Sequence, residues 1–80
     1  MLRASYKVPG LMGNMGQTFT QELRHINENG PPKAVRDSLH SVANILFEMI
    51  GCDKVKFWNH NDVLVAVATR QITVKMEMAQ

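Results

Sequence analysis

The segment PGLMGNMG, residues 9–16, sets Gly10, Gly13 and Gly16 three apart, with Thr18 close behind. Between a strand and a helix, such a segment can hold an anion, because unpaired backbone N–H groups and the positive end of the helix dipole converge there. The lysine of a P-loop is missing, since Gly16 leads to Gln17-Thr18, and no acidic residue stands where a dinucleotide fold holds a ribose. A permissive joint is the simpler reading. Leu11, Met12 and Met15 suit an adaptable partner surface better than a phosphate.

The second constellation is KVKFW, residues 54–58, which puts Lys54, Lys56 and Trp58 on one face of a strand and Val55 and Phe57 on the other. Lysines meet phosphates and bases stack on an aromatic ring, so this face suits nucleic acid. Arg3 and Lys7 extend it if the first strand lies alongside. The competing reading is structural: alternating lysines keep an exposed strand from pairing edge to edge, and a lone tryptophan anchors a core or an interface.

Other reactive side chains form no recognisable set. Cys52 follows Gly51 at the end of a helix, where the dipole disfavours a thiolate, and it reads as a buried spacer. His25, His40, His60 and Cys52 lack the paired spacing of a zinc site. Asp53 and Asp62 flank a strand and a turn, where capping explains them. No nucleophile–base pair, metal set or cofactor fingerprint is assembled by spacing, so the expectation is no enzyme, no metal and no cofactor.

The elements that must position these residues follow from hydrophobic period. LRASYKV, residues 2–8, alternates like a half-buried strand, and Pro9 ends it. After a Gly/Met-rich loop at 9–17, Thr18 to Gln21 has capping-box spacing, and Phe19, Leu23 and Ile26 fit a short helix that Asn29-Gly30 stops. Pro31-Pro32 opens a second helix in which Val35, Leu39, Val42, Leu46 and Met49 form the inward row; Ala43, Phe47 and Ile50 widen it, and Gly51 closes it. Residues 54–58 form a strand, Asn59 to Asp62 a turn, and VLVAVAT, 63–69, an interior strand. ITVKMEM, 72–78, alternates again, but Thr69-Arg-Gln-Ile72 has no residue suited to a tight hairpin, so 63–78 reads either as a hairpin or as one long bent strand. The expected fold is one small two-layer α+β domain over residues 1–80, an antiparallel sheet of three to four strands with two helices on one face, in the order β-α-α-β-β-β.

Residues 46–69, LFEMIGCDKVKFWNHNDVLVAVAT, resemble the helix, glycine and hairpin unit in the N-terminal domain of Nfu-type iron–sulfur scaffold proteins, and equally other small α+β folds in which a helix feeds a hairpin. The resemblance covers under a third of the chain, lacks a Cys-x-x-Cys, and continues as strand where that family has a helix. It implies no function or site here.

Composition bounds the rest. Eighty residues with 45% hydrophobic and 20% charged side chains make a globular chain near the lower limit for a self-sufficient core. One cysteine excludes an internal disulfide and fits a reducing, cytoplasmic setting. No apolar run approaches the ~18 residues of a membrane span. Nine Lys+Arg against seven Asp+Glu give only a mildly basic chain. Self-association is the remaining source of stability, with a dimer as the first expectation and Ile72, Val74, Met76, Met78, Phe47 and Ile50 as its interface. The preferred reading is therefore a small binding or inhibitor-type module that self-associates and acts on a protein partner. Size and the lack of catalytic residues fit the single-purpose products of phages and mobile elements. Nucleic-acid binding through Lys54, Lys56 and Trp58, and nucleotide or small-anion binding at Gly10 to Gly16, are the alternatives.

Overall fold

The alternation in LRASYKV becomes strand β1 (Arg3–Lys7) in the computed structural model, which describes residues 1–10, 16–70 and 75–78. Leu2 and Ala4 are buried on one side of it, and Arg3 and Ser5 stand on the other. The chain then returns as a second strand, β2 (Thr18–Glu22), antiparallel to β1 with Tyr6 opposite Phe19 and Ala4 opposite Gln21.

The helix expected over 18–29 is thus replaced by a strand. Thr18 and Thr20 flank an aromatic, a composition that favours a pleated surface. Phe19 gains a stacked partner in Tyr6, ring centroids 6.4 Å apart, which no local helix could supply. Leu23 and Ile26 are buried as their spacing requires, but in the irregular turns that follow β2. The observed order is β-β-α-β-β-β, one helix and five strands instead of two helices and three or four strands; the α+β class stands.

Helix α1 (Pro32–Met49) begins as the prolines dictate, with Pro32 at a first-turn position whose missing N–H has no intrahelical use. It ends where Ile50 N–H donates to the Leu46 carbonyl at 2.9 Å and Gly51 turns to φ +80°, a region that only glycine enters cheaply. Leu39, Ala43, Leu46 and Phe47 are its buried residues. The inward row is rotated toward Ala43 and Phe47 relative to the expected one, leaving Met49 78% and Ile45 54% exposed. Small side chains in the sheet make that rotation favourable. The helix lies chiefly over β3 (Lys54–Trp58), and rows such as Ala4, Phe57 and Ala66 put alanines on either side of the largest core residue.

The sheet order is β2-β1-β3-β4-β5, with β4 (Leu64–Thr69) and β5 (Lys75–Met78) antiparallel neighbours. Residues 63–78 are therefore a hairpin and not one bent strand. Thr69 opposes Lys75, so the connection spans 70–74 and is long enough to dispense with a tight-turn glycine. Between β3 and β4 the polar turn forms as read: Asn59 Oδ1 accepts from the N–H of Asn61 at 2.9 Å and of Val63 at 3.1 Å, and Asp62 takes φ 59°. No helix among the described residues is long and apolar enough to cross a membrane.

One polar clasp joins the turns after β2 to the β3–β4 turn. The Glu28 carboxylate receives the Met1 ammonium and His60 Nδ1, the latter at 2.8 Å. These partners, the ammonium foremost and then His60, hold its pKa at about 2, below the ordinary 4.5. A depressed folded-state pKa gives stability that is complete above the unfolded value and is lost as pH falls through the folded one. The stability difference between the native chain and Glu28→Gln should therefore shrink as pH falls from 4.5 to about 2. Urea titrations across that range check it; a difference that does not change with pH contradicts the clasp.

Candidate functional site

The helix covers one face of the sheet, and strand parity sends a defined set of side chains to the other. Register aligns Arg3 with Trp58, and Ser5 with Lys56 and Thr20. Thr18 opposes Lys7 across β1 and β2, and Lys54 opposes Thr69 across β3 and β4. β1 lies directly beside β3, so Lys7, Lys54, Lys56 and Trp58 share one open face and line one shallow concavity of about 600 Å³ together with Ser5, Thr18 and one carboxylate, Asp53.

The tryptophan is held, not loose. Trp58 Nε1 donates to Ser5 Oγ at 2.8 Å, tying the indole across to β1. A register irregularity at Phe57/Trp58 brings Leu64 opposite Trp58, so the strand turns locally at the point where the ring is presented. Ser5 is a site residue that sequence reasoning did not single out; only strand parity pointed to its face, and its pairing with Trp58 depends on β1 and β3 being neighbours.

The charges divide into engaged and unengaged. Arg3 forms an ion pair with Asp62 and also donates to the Asn59 carbonyl at 3.5 Å, so it braces the β3–β4 turn. Lys7, Lys54 and Lys56 form no ion pair with any described carboxylate. The position of β3 bears on what those lysines do. It is an interior strand, paired on both sides by β1 and β4, so Lys54 and Lys56 have no edge to protect.

The other candidates separate. Gly13 lies outside the described residues. Gly10 and Gly16 adjoin β1 and β2, and Thr18 is a strand residue, so the helix N-terminus on which the anion reading depended is not there. Gly16 is explained by space, because a Cβ there would lie 1.6 Å from the Val8 carbonyl oxygen. Of the expected interface residues, Ile72 and Val74 lie outside the described residues, and Phe47 is buried in the core at 4% exposure. Met76 packs against the core, while Met78 and Ile50 are exposed. Cys52 is buried, and burial pushes its thiol pKa up, which suits a spacer and not a nucleophile. Among the described residues no three His, Cys, Asp or Glu side chains gather as metal ligands.

A second concavity, about 330 Å³, runs between α1 and the β1–β2 side of the covered face, with Tyr6, Leu23, Ile45, Met49 and Ile50 on its walls. It is apolar where the first is basic. Compared with protein families, with curated proteins and with solved structures, the chain matches none.

Proposed function

We propose that the protein is a non-enzymatic binding module whose open sheet face takes single-stranded nucleic acid. Lys7, Lys54 and Lys56 meet backbone phosphates, and Trp58 offers its ring to a base. The supporting observation is the placement of unpaired lysines around a tethered tryptophan on interior strands, where an edge-guarding role has no purpose. A sheet face with one half-buried indole reads bases by stacking, which tolerates any sequence, so the binding expected is weakly specific.

The test is the salt dependence of a labelled oligothymidylate. Three lysine contacts on a single strand give a slope of log K against log salt of about −2, at about −0.7 each. Trp58→Ala should lose about 1–3 kcal/mol of binding, roughly 5- to 150-fold, with the salt slope unchanged, because stacking releases no counterions. Trp58→Phe should recover part of that loss. A flat salt response, or full affinity in Trp58→Ala, removes the proposal.

A second reading, a protein partner, draws on the apolar groove beside α1 and the exposure of Ile45 and Met49. It uses the opposite side of the molecule, so the two readings are separable by where a ligand perturbs the protein.

A further inference from the structure

Strand β2 is an edge of the sheet, and all five of its residues are exposed. Its sequence, Thr18-Phe-Thr-Gln-Glu22, contains neither a lysine nor a proline, the usual guards against edge pairing. We propose that this edge pairs with the same strand of a second copy, antiparallel and about a two-fold axis through Thr20.

Hydrogen-bond phase fixes the register. Leu23 N–H donates to the Leu2 carbonyl and Val8 N–H to the Gln17 carbonyl, each at 2.8 Å. Bonded pairs alternate along an antiparallel ladder, so Gln17, Phe19, Gln21 and Leu23 face β1 with their backbone groups. The N–H and C=O groups of Thr18, Thr20 and Glu22 then point outward. A two-fold axis through Thr20 sets Thr20 opposite its own copy as a bonded pair and Thr18 opposite Glu22 of the partner subunit, so all three outward residues are used on both chains.

The same register matches sides and charges. Thr18, Thr20 and Glu22 share the open face with Ser5 and Lys7, so the pairing joins open face to open face and covered face to covered face. Lys7 opposes Thr18, and the partner's Glu22 would stand one strand further, about 10 Å from Lys7 between Cα atoms, within reach of two long side chains. On the covered side Phe19, 45% exposed, gains the partner's Gln21 as a neighbour. A second copy meets the phase and the sidedness at once, and it brings Lys7 toward the partner's Glu22, which also pairs with Arg24 of its own chain at 3.3 Å. The pairing makes one continuous sheet with both open faces on the same side; it shares Lys7 with the proposed phosphate contacts and leaves Lys54 and Lys56 untouched.

The experiment is the solution mass of the full chain without nucleic acid, by sedimentation equilibrium from 1 to 100 µM, with amide exchange at both ends of that range. The native chain should reach twice its 9.0 kDa mass at the upper end. Thr18, Thr20 and Glu22 amides should exchange at least ten-fold more slowly at 100 µM than at 1 µM, while Phe19 and Gln21 stay protected throughout. Thr20→Pro removes one outward donor and no bond to β1, and should hold the single-chain mass at 100 µM. Thr20→Lys, which opposes two ammonium groups at the axis, should do the same if the proline variant fails to fold. A native chain of single mass at 100 µM, or either folded variant remaining at twice the chain mass, overturns the proposal.

Discussion

Reversing Lys54 and Lys56 together, as Lys54→Glu and Lys56→Glu, should weaken oligonucleotide binding several-hundred-fold at 0.1 M salt and leave the fold intact. Each phosphate contact on a single strand contributes about 0.7 log units per decade of salt, about five-fold at 0.1 M; reversal costs about twice that, so two sites multiply to ~600-fold, or ~4 kcal/mol. The fold should tolerate the change because both side chains are exposed and form no ion pair with a described carboxylate. Surface substitutions of that kind usually stay within about 0.5 kcal/mol. Filter binding alongside far-UV circular dichroism checks both halves. A loss below about ten-fold, in a variant with native dichroism, would show that the lysines are solubilising charge and nothing more.

The second large effect is on stability. Gly16→Ala should cost at least ~3 kcal/mol, because its Cβ would meet the Val8 carbonyl oxygen at 1.6 Å and carbon at 2.7 Å. Both are backbone atoms and cannot rotate aside. The obstacle is space and not dihedral preference, since among the described glycines only Gly51 has a positive φ. Chains of this size hold roughly 4–12 kcal/mol in total, so the β1–β2 hairpin should open and much of the native population be lost. Gly30→Ala is the control: its Cβ would lie 3.1 Å from the Asn27 carbonyl oxygen, a contact that a few tenths of an ångström relieve. Denaturant midpoints compare the two. A Gly16→Ala midpoint no lower than that of Gly30→Ala would mean that the strands do not cross as closely as described.

The same glycine shows where the sequence was readable and where it was not. Strand alternation at 2–8 and 54–58, the proline-opened helix, the Gly51 stop and the Asn59 turn are all local, and each formed where its residues demanded. Residues 18–29 misled because Phe19, Leu23 and Ile26 are spaced for a helix and yet equally serve a strand followed by turns. What decides between them is Tyr6, an opposing ring that is remote in sequence and adjacent only once β1 and β2 pair. The rotation of α1 has a similar origin: Met49 fits an inward row by period, but the alanine-lined space over β3 draws in Ala43 and Phe47.

At the site, sequence parity alone put Lys54, Lys56 and Trp58 on one face, and Arg3 and Lys7 on one face of another strand. That the two strands are neighbours is a matter of topology, which periodicity does not encode. Nor could spacing reveal that Arg3 is spent on Asp62, or that Ser5 anchors the indole. The order β2-β1-β3-β4-β5 also changes what the lysines mean, since an interior strand has no need of edge guards and the edge that lacks them is β2.

The most direct measurement is a nuclear magnetic resonance titration of the isotopically labelled protein with oligothymidylate. Shifts should concentrate on the Trp58 indole N–H and on the backbone and side chains of Lys7, Lys54 and Lys56, with α1 residues such as Ile45 and Met49 unmoved. A titration that leaves the open face unchanged at low salt, or that moves α1 instead, contradicts the assignment of this face as a nucleic-acid platform.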